Sequence, residues 1–171
     1  MYLFTQYSAL VGTLTLCCRR DKLVGLWIEG QKYFGGSHSG EMVPGDSIPV
    51  LTRTQDWLDR YFAGGRPDPG ELPLAPEGSV FRQTVWALLL EIPYGQVITY
   101  GELARKTAER LGRASMSAQA VGGAVGHNPV SIVIPCHRLV GADGTLTGYA
   151  GGLDRKQWLL RHEGAGLFPL K

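Results

Sequence analysis

The strongest candidate for covalent chemistry in this chain is Cys136, which follows Pro135 and precedes His137 and Arg138. A thiolate is the nucleophilic form of cysteine, and a free thiol with a pKa of about 8.5 is mostly protonated at neutral pH. Imidazole and guanidinium groups beside a thiol favour its ionisation, so this order of residues is typical of an activated nucleophile. The apolar run 132–134 predicts a short strand that Pro135 ends, with the chain turning at the thiol.

An isolated cysteine has a plainer interpretation, because cysteine is among the most buried residue types and usually packs as a small apolar side chain. The chain has three cysteines, and the other two, Cys17 and Cys18, are neighbours. An odd count with no export signal predicts a reducing compartment rather than a disulfide framework. Neighbours on a strand face opposite sides, and only the remote His38 could assist them, so we expect no metal site.

The composition indicates a soluble intracellular protein. The chain has 171 residues, and no apolar segment in it approaches the roughly 18 residues that a membrane span requires. The start of the chain lacks the regions of a leader, so we expect a cytoplasmic location, on the nucleoid if the source is bacterial. The net charge of +2 divides into 7 basic and 8 acidic side chains before residue 77, and 10 basic and 7 acidic from there on. This asymmetry permits an anionic partner without requiring one.

The first third of the chain predicts strands followed by a helix. Apolar residues alternate in 12–18 and 23–28, which predicts a hairpin, and 2–7 is expected to add a strand. Thr52 with Gln55 three residues later matches a capping box at the start of an amphipathic helix. A proline-rich stretch then predicts a linker and a domain boundary, with domains 1–76 and 77–171; its prolines are Pro67, Pro69, Pro73 and Pro76.

Four helices are predicted after this boundary, because Ser79, Thr99, Ser117 and Asp154 are each suited to an N-cap position. The second and third of these helices are joined by a short link, which indicates a helix-turn-helix. The third helix is rich in alanine and glycine, although each interior glycine costs about 0.5 to 1 kcal/mol relative to alanine. Two interpretations stay open from composition alone: tight packing against a neighbouring helix, or close approach of a ligand or nucleic-acid backbone.

Several short motifs occur in order between residues 79 and 163. They are Ala120-Val121-Gly122-Gly123-Ala124, Asn128-Pro129, Pro135-Cys136-His137-Arg138, Gly148-Tyr149-Ala150-Gly151-Gly152-Leu153 and Trp158-Leu159-Leu160-Arg161-His162-Glu163. In this order they resemble the O6-alkylguanine-DNA alkyltransferases, also called methylated-DNA-protein-cysteine methyltransferases. The first third of the chain resembles that family only in its β-then-α plan.

The resemblance implies an α+β fold of two domains. The N-terminal domain would be a small antiparallel β-sheet with a helix, of the ribonuclease H-like kind. The C-terminal domain would be mainly helical, with a winged-helix-like helix-turn-helix that carries the active-site cysteine.

The implied function is direct reversal of DNA alkylation damage. A monomer would bind double-stranded DNA containing alkylated bases and rotate the damaged base out of the stack, since a stacked base is out of reach. It would then transfer the alkyl group of O6-alkylguanine, and of O4-alkylthymine, to Cys136. The thioether product offers water no centre to attack, so each molecule would act once, without a cofactor, an obligate protein partner or a membrane.

The resemblance also implies residue roles. His137 would act as general base on Cys136 through a water, and Glu163 would hold the other nitrogen of the imidazole. Tyr100 would donate a proton to the base as the alkyl group leaves. Asn128 would brace the loop that carries the cysteine.

The substrate pocket would be lined by Tyr149, Ala150, Gly151 and Leu139. The expected DNA-binding residues are Gln119, Ala118, Ala120, Gly122, Gly123, Arg113 and Thr99. Gln119 departs from the family pattern, which usually has an arginine there to fill the gap left by the extruded base. Arg155 and Lys156 are interpreted as ordinary surface charges.

Three alternatives remain. A lesion-binding module without chemistry would lack the cysteine, so Cys136, His137 and Glu163 together argue against it. A cysteine hydrolase is a second, although no oxyanion-hole motif is evident and adjacent residues rarely let a base reach its nucleophile directly. A transcriptional regulator is a third, weakened by a third helix with no base-reading residue except Gln119.

Overall fold

Alternating apolar residues in the first third of the chain form a four-stranded sheet covered by one helix. The computed structural model describes residues 1–38 and 40–165. The first of its two units consists of Met1–Glu77 with Pro129–Ser131, and the second of Gly78–Asn128 with the described residues from Ile132 onward. The fold is therefore α+β in two units, and residues 166–171 of the predicted C-terminal domain lie outside the described part.

The sheet of the first unit has the strand order β3-β2-β1-β4. Its elements are β1 (Tyr2–Ala9), β2 (Gly12–Arg19), β3 (Lys22–Ile28), β4 (Met42–Pro44) and α1 (Pro49–Phe62). The first three strands pair antiparallel, as the alternation predicts, whereas β4 pairs parallel with β1. The sheet is therefore mixed rather than purely antiparallel, because a strand of three residues gives too short a pattern to predict.

Both faces of the sheet are buried at its centre. Cys17 packs with Val24 and Trp27 in an apolar cluster, while its neighbour Cys18 is fully buried as well. Gly25 lies under the Trp27 ring, and an added Cβ would clash with that ring, so only glycine admits the indole. Helix α1 packs against the strands through its own apolar stripe.

The start of the helix in this unit differs from the prediction, and the proline-rich stretch that follows it has a turn of its own. Helix α1 begins at Pro49 after Ile48, with no side-chain cap, so the predicted capping box at Thr52 is wrong. Proline at the first helical position supplies the start signal instead, because its fixed φ suits a helix and its missing N–H needs no partner. The proline-rich stretch is ordered: Pro69–Glu71 forms a 3-10 turn capped by Asp68, whose carbonyl accepts a hydrogen bond from Trp57 Nε1 at 2.9 Å.

The second unit contains four helices and a two-stranded parallel pair. They are α2 (Val80–Leu89), β5 (Ile98–Thr99), α3 (Tyr100–Leu111), α4 (Ala118–Gly126), β6 (Leu139–Val140) and α5 (Leu153–His162). The predicted N-caps Ser79, Thr99 and Ser117 are confirmed, since each side chain accepts a hydrogen bond from the backbone N–H three residues later. Asp154 is not a cap, because α5 begins one residue earlier, after Gly152 at φ 96°.

Helices α2, α3 and α4 pack on one another, and α3 and α4 form the predicted helix-turn-helix. The Trp86 indole N–H of α2 donates to the Ala124 carbonyl of α4 at 2.9 Å, which ties the two helices at a buried point. None of the helices in the described residues is long and apolar enough to cross a membrane.

Candidate functional site

Cys136 lies in a buried turn rather than after a strand. The apolar residues 132–134 are buried but form turns, and Ile132 has a φ of 72°. The prediction of a β-run here is wrong, because burial makes this segment apolar and a short apolar run does not distinguish a strand from a buried turn. Cys136–Arg138 then forms a single 3-10 turn that leads into β6.

The parallel pair of β5 and β6 positions Tyr100 near the thiol. Thr99 pairs with Val140, so the N-terminus of α3 lies beside the strand that follows the Cys136 turn. The Thr99 hydroxyl caps α3 by accepting from Glu102 N at 3.1 Å, which places Tyr100 at the first helical position. The pairing therefore holds Tyr100 close to Cys136, although the two are far apart in sequence.

Asn128 fastens the turn from the side of α4. Its amide nitrogen Nδ2 donates to the Ile134 carbonyl at 2.8 Å, and the same side chain hydrogen-bonds the Cys136 thiol. Burial raises the pKa of Cys136, which is only 4% exposed, while the Asn128 hydrogen bond and the charge of Lys156 act in the opposite direction. The thiol is thus protonated at rest, with two groups in place to stabilise its thiolate.

His137 and Glu163 form a fully buried pair in which His137 Nε2 and Glu163 Oε2 are 2.7 Å apart. Arg138 binds the same carboxylate twice, from Nε to Oε1 at 2.8 Å and from Nη2 to Oε2 at 3.1 Å. Its third bond, from Nη1, goes to the Ile92 carbonyl at 2.6 Å. The guanidinium therefore engages Glu163, and the expectation that it activates the thiol directly is wrong.

These contacts determine the protonation of the imidazole. Burial raises the pKa of Glu163, but His137 and Arg138 outweigh burial and hold the pKa well below its usual range. Burial lowers the pKa of His137, against the opposing effect of Glu163 and with help from Arg138 and Lys156. A neutral imidazole that donates from Nε2 to the carboxylate carries its lone pair on Nδ1. Nδ1 is buried and has no hydrogen-bond partner among the described residues, so it is available to accept a proton.

The predicted pocket residues lie on the segment before α5 and on β6. Tyr149, Ala150 and Gly151 are half-buried, and Leu139 is fully buried. The Tyr149 hydroxyl is enclosed and finds no hydrogen-bond partner within the described part of the chain. Burial, followed by the thiolate charge of Cys136, raises the pKa of both Tyr149 and Tyr100, so both phenols are protonated at neutral pH.

Lys156 is the functional candidate that the sequence prediction missed. It is fully buried, and its Nζ donates to the Thr147 carbonyl at 2.7 Å and to the Gly148 carbonyl at 3.2 Å. The interpretation of Lys156 as a surface charge is therefore wrong. A signal was present, because Lys156 stands three, four and seven residues before Leu159, Leu160 and Glu163, which is the spacing of one helix face.

The predicted DNA-binding residues include an open face of α4. Ala118, Gln119 and Ala120 are exposed at its first turn. A Cβ added at Gly122, Gly123 or Gly126 would meet no described atom within 4 Å outside the local helix backbone. Tight packing against a neighbouring helix therefore does not explain these glycines. Arg113 is exposed in the link between α3 and α4, and Thr99 is half-buried in its capping role.

Comparisons of the sequence with a family model and with individual known proteins point to the same family. The family model for the DNA-binding domain of 6-O-methylguanine DNA methyltransferase matches residues 80–165. The methylated-DNA–protein-cysteine methyltransferase of Haemophilus influenzae is 39% identical over 160 residues, covering 94% of this chain and 85% of that protein. The Shigella flexneri protein of the same name is 55% identical over 109 residues, 64% of this chain and 61% of that one.

A solved structure extends the similarity to three dimensions. Mycobacterium tuberculosis OGT, crystallised in complex with DNA, superposes with a TM-score of 0.78 at 36% identity, covering 96% of this chain and 92% of that one. The similarity therefore includes the first unit, where the family motifs are weakest.

Proposed function

This chain belongs to the methylated-DNA–protein-cysteine methyltransferase family, and we propose that it repairs double-stranded DNA by moving an alkyl group from O6-alkylguanine to Cys136. The observation that carries the proposal is the buried 2.7 Å pair of His137 and Glu163 beside the cysteine, with His137 Nδ1 left without a protein partner in the described residues. That arrangement is suited to taking a proton from a neighbouring thiol.

We propose that His137 accepts the thiol proton through a water molecule, because a residue rarely reaches its neighbour's side chain directly. Glu163 then stabilises the imidazolium that forms, and Arg138 keeps Glu163 ionised throughout. A buried thiol ionises poorly alone, so proton transfer to this base supports the reaction at neutral pH. Asn128 stabilises the thiolate by its hydrogen bond and holds the turn at Ile134.

In the transfer step the thiolate attacks the alkyl carbon of the extruded base. A carbon–sulfur bond forms, the bond between that carbon and O6 breaks, and its electron pair stays on guanine. Tyr100 donates a proton to the purine, which releases neutral guanine, and the phenol recovers a proton from His137 or solvent. Tyr149, Ala150, Gly151 and Leu139 would line the pocket that holds the base. We expect O4-alkylthymine to react at the same thiol.

We assign the open face of α4 to the approach of the DNA backbone and bases. Side chains at Gly122 and Gly123 would stand between the helix and its partner, and nothing in the described protein fills that space. The first turn, with Ala118, Gln119 and Ala120, would face the extrusion site, while Arg113 would contact a phosphate. DNA as substrate also implies a cytoplasmic location, on the nucleoid in a bacterial cell.

The test is intact-mass analysis after incubation with excess duplex that carries one O6-methylguanine. We expect every protein molecule to gain a single methyl group, located on Cys136 by peptide mapping. Cys136→Ala should bind the duplex and gain nothing. An unmodified Cys136 after full exposure would contradict the proposal, and so would repair of many lesions per protein molecule, which would indicate a hydrolase.

A further inference from the structure

Lys156 carries a charge that the mechanism above does not use. Its ammonium group is fully buried, and no carboxylate in the described residues forms an ion pair with it. Burial lowers the pKa of Lys156 to about 8, so the side chain remains mostly charged at neutral pH. A buried cation without an acidic partner reduces stability, and such groups are concentrated at functional sites.

The surroundings of this ammonium group belong to the reaction site. Nζ donates to the carbonyls of Thr147 and Gly148, directly before the pocket residue Tyr149. It lies 5.8 Å from the centre of the Tyr100 ring, and the Tyr100 hydroxyl donates to the same Gly148 carbonyl at 3.4 Å. Tyr100, the proposed proton donor, and Lys156 therefore bind the same backbone carbonyl, that of Gly148, next to the proposed pocket.

The other basic side chains near the thiol are bound to other partners. Arg138 is bonded to Glu163 and to the Ile92 carbonyl, and His137 is neutral and bonded to Glu163. The favourable charge that acts on the Cys136 thiol is that of Lys156, and the interaction is mutual, since the thiolate also favours the ammonium form.

We propose that Lys156 is a positioning residue with two tasks: its charge stabilises the Cys136 thiolate across the buried site, and its two hydrogen bonds fix the 147–148 backbone against Tyr100. The proposal rests on Cys136 being the alkyl acceptor and adds to it the group that favours the thiolate. The proton still leaves through His137, and Lys156 neither gains nor loses one during the reaction. Its ammonium compensates the negative charge that the thiolate brings into the site.

Two substitutions separate the tasks. Lys156→Met keeps the length and apolar stem but removes both the charge and the donors. Lys156→Gln removes the charge and keeps an N–H donor for the 147–148 carbonyls. Lys22→Met, at an exposed lysine of the first unit, makes the same change in net charge and serves as the control.

The primary measurement is the rate at which iodoacetamide alkylates Cys136 between pH 6 and 7.5, where Lys156 is charged, with Cys136→Ser as the blank for the other two thiols. This reaction requires no DNA, and its rate follows the thiolate fraction of Cys136. We expect Lys156→Met and Lys156→Gln to react about tenfold more slowly than wild type, since an opposite charge nearby shifts a pKa by about one unit. Lys22→Met should match the wild type.

The second measurement is the rate of methyl transfer from the duplex as a function of pH. At neutral pH, where Lys156 is charged, we expect both Lys156 variants to be about tenfold slower than wild type, because the rate follows the thiolate fraction. Raising the pH should restore Lys156→Gln more fully than Lys156→Met, which also loses the backbone contacts. An unchanged rate of alkylation by iodoacetamide in both variants would overturn the proposal, while a wild-type protein that gains no methyl group would instead overturn the function itself.

Discussion

Glu163 is shared by two basic side chains, and their different chemistry explains the arrangement. Arg138 is always charged and binds both carboxylate oxygens, so Glu163 stays ionised whatever the state of the imidazole. An ionised carboxylate favours the tautomer of His137 that donates from Nε2, which leaves Nδ1 as the base in the proposed mechanism. Arg138 would therefore determine which nitrogen of His137 acts as the base, although it is not among the groups that shift the pKa of the thiol.

Replacing Arg138 by alanine is expected to destabilise the protein strongly. The change leaves a buried carboxylate with one partner fewer and the Ile92 carbonyl without its donor, and breaking a buried pair costs about 3 to 5 kcal/mol. Arg110→Ala removes an ion pair to Glu91 whose side chains are 48% and 56% exposed, so it should cost no more than about 1 kcal/mol. Urea unfolding of both variants measures the two costs. Equal losses would show that the Glu163 network contributes little to stability.

Gln119 stands where the resemblance leads us to expect an arginine. An amide can hydrogen-bond a base edge but adds no charge, whereas an arginine also releases counterions from DNA. Gln119→Arg is expected to tighten binding and to steepen the dependence of affinity on salt by up to about one unit of logarithmic slope. Fluorescence anisotropy over a range of salt concentrations tests this, with Gln83→Arg on α2 as the matched control. Identical slopes for Gln119→Arg and wild type would refute the prediction.

At the scale of elements, local chemistry predicted most of the helix starts. Ser79, Thr99 and Ser117 each cap a helix where the sequence predicts it, because a hydroxyl that accepts a backbone N–H acts within one turn. Helix α1 shows the limit of this reasoning. Its cap motif at Thr52 is a coincidence of residue types inside a helix that Pro49 had already begun.

Elements whose form depends on distant contacts were not predictable in the same way. The run 132–134 is apolar because it is buried, and its turn geometry, with Ile132 at φ 72°, is one that a β-branched residue adopts only where its surroundings require it. The site residues could be named from motifs, but their convergence depends on the pairing of β5 with β6. Two-residue strands leave no periodic pattern to read.

Replacing the glycines of helix α4 is expected to stabilise the folded protein and to weaken its binding to DNA. Gly123→Ala places a methyl group in open space on a helix, which favours the folded state by about 0.5 to 1 kcal/mol. The same methyl group would lie against the DNA backbone, so affinity for duplex is expected to fall. Thermal unfolding and DNA-binding titrations of one variant test both effects. Gly40→Ala, which also meets no described atom within 4 Å, is the control and should leave affinity unchanged.

At the scale of the whole molecule, all three cysteines are buried, and they differ in the groups that act on their thiols. Burial raises the pKa of Cys17 to about 12, and burial also raises the pKa of Cys18. Neither has a basic group among the influences that act on its thiol, whereas Cys136 has Asn128 and Lys156 to stabilise its thiolate. The single adduct that we expect per chain would therefore follow from where charges are placed rather than from access alone.

The buried charge of Lys156 should reduce the free energy of unfolding, and the size of this cost should depend on pH. The folded-state pKa of about 8 lies below the unfolded value of about 10.4, so below pH 8 the buried charge costs about 3 kcal/mol. Lys156→Met removes that cost but also two hydrogen bonds from a charged donor, each worth about 1.5 to 3 kcal/mol, so at pH 7 the variant should be as stable as wild type or somewhat less stable. Between about pH 8 and 10.4 the unfolded chain binds more protons, so wild-type stability should rise relative to the variant by about 3 kcal/mol. Urea unfolding of wild type, Lys156→Met and Lys22→Met across this range measures the difference. A variant less stable at pH 7, by an amount independent of pH, would mean that Lys156 acts only through its hydrogen bonds.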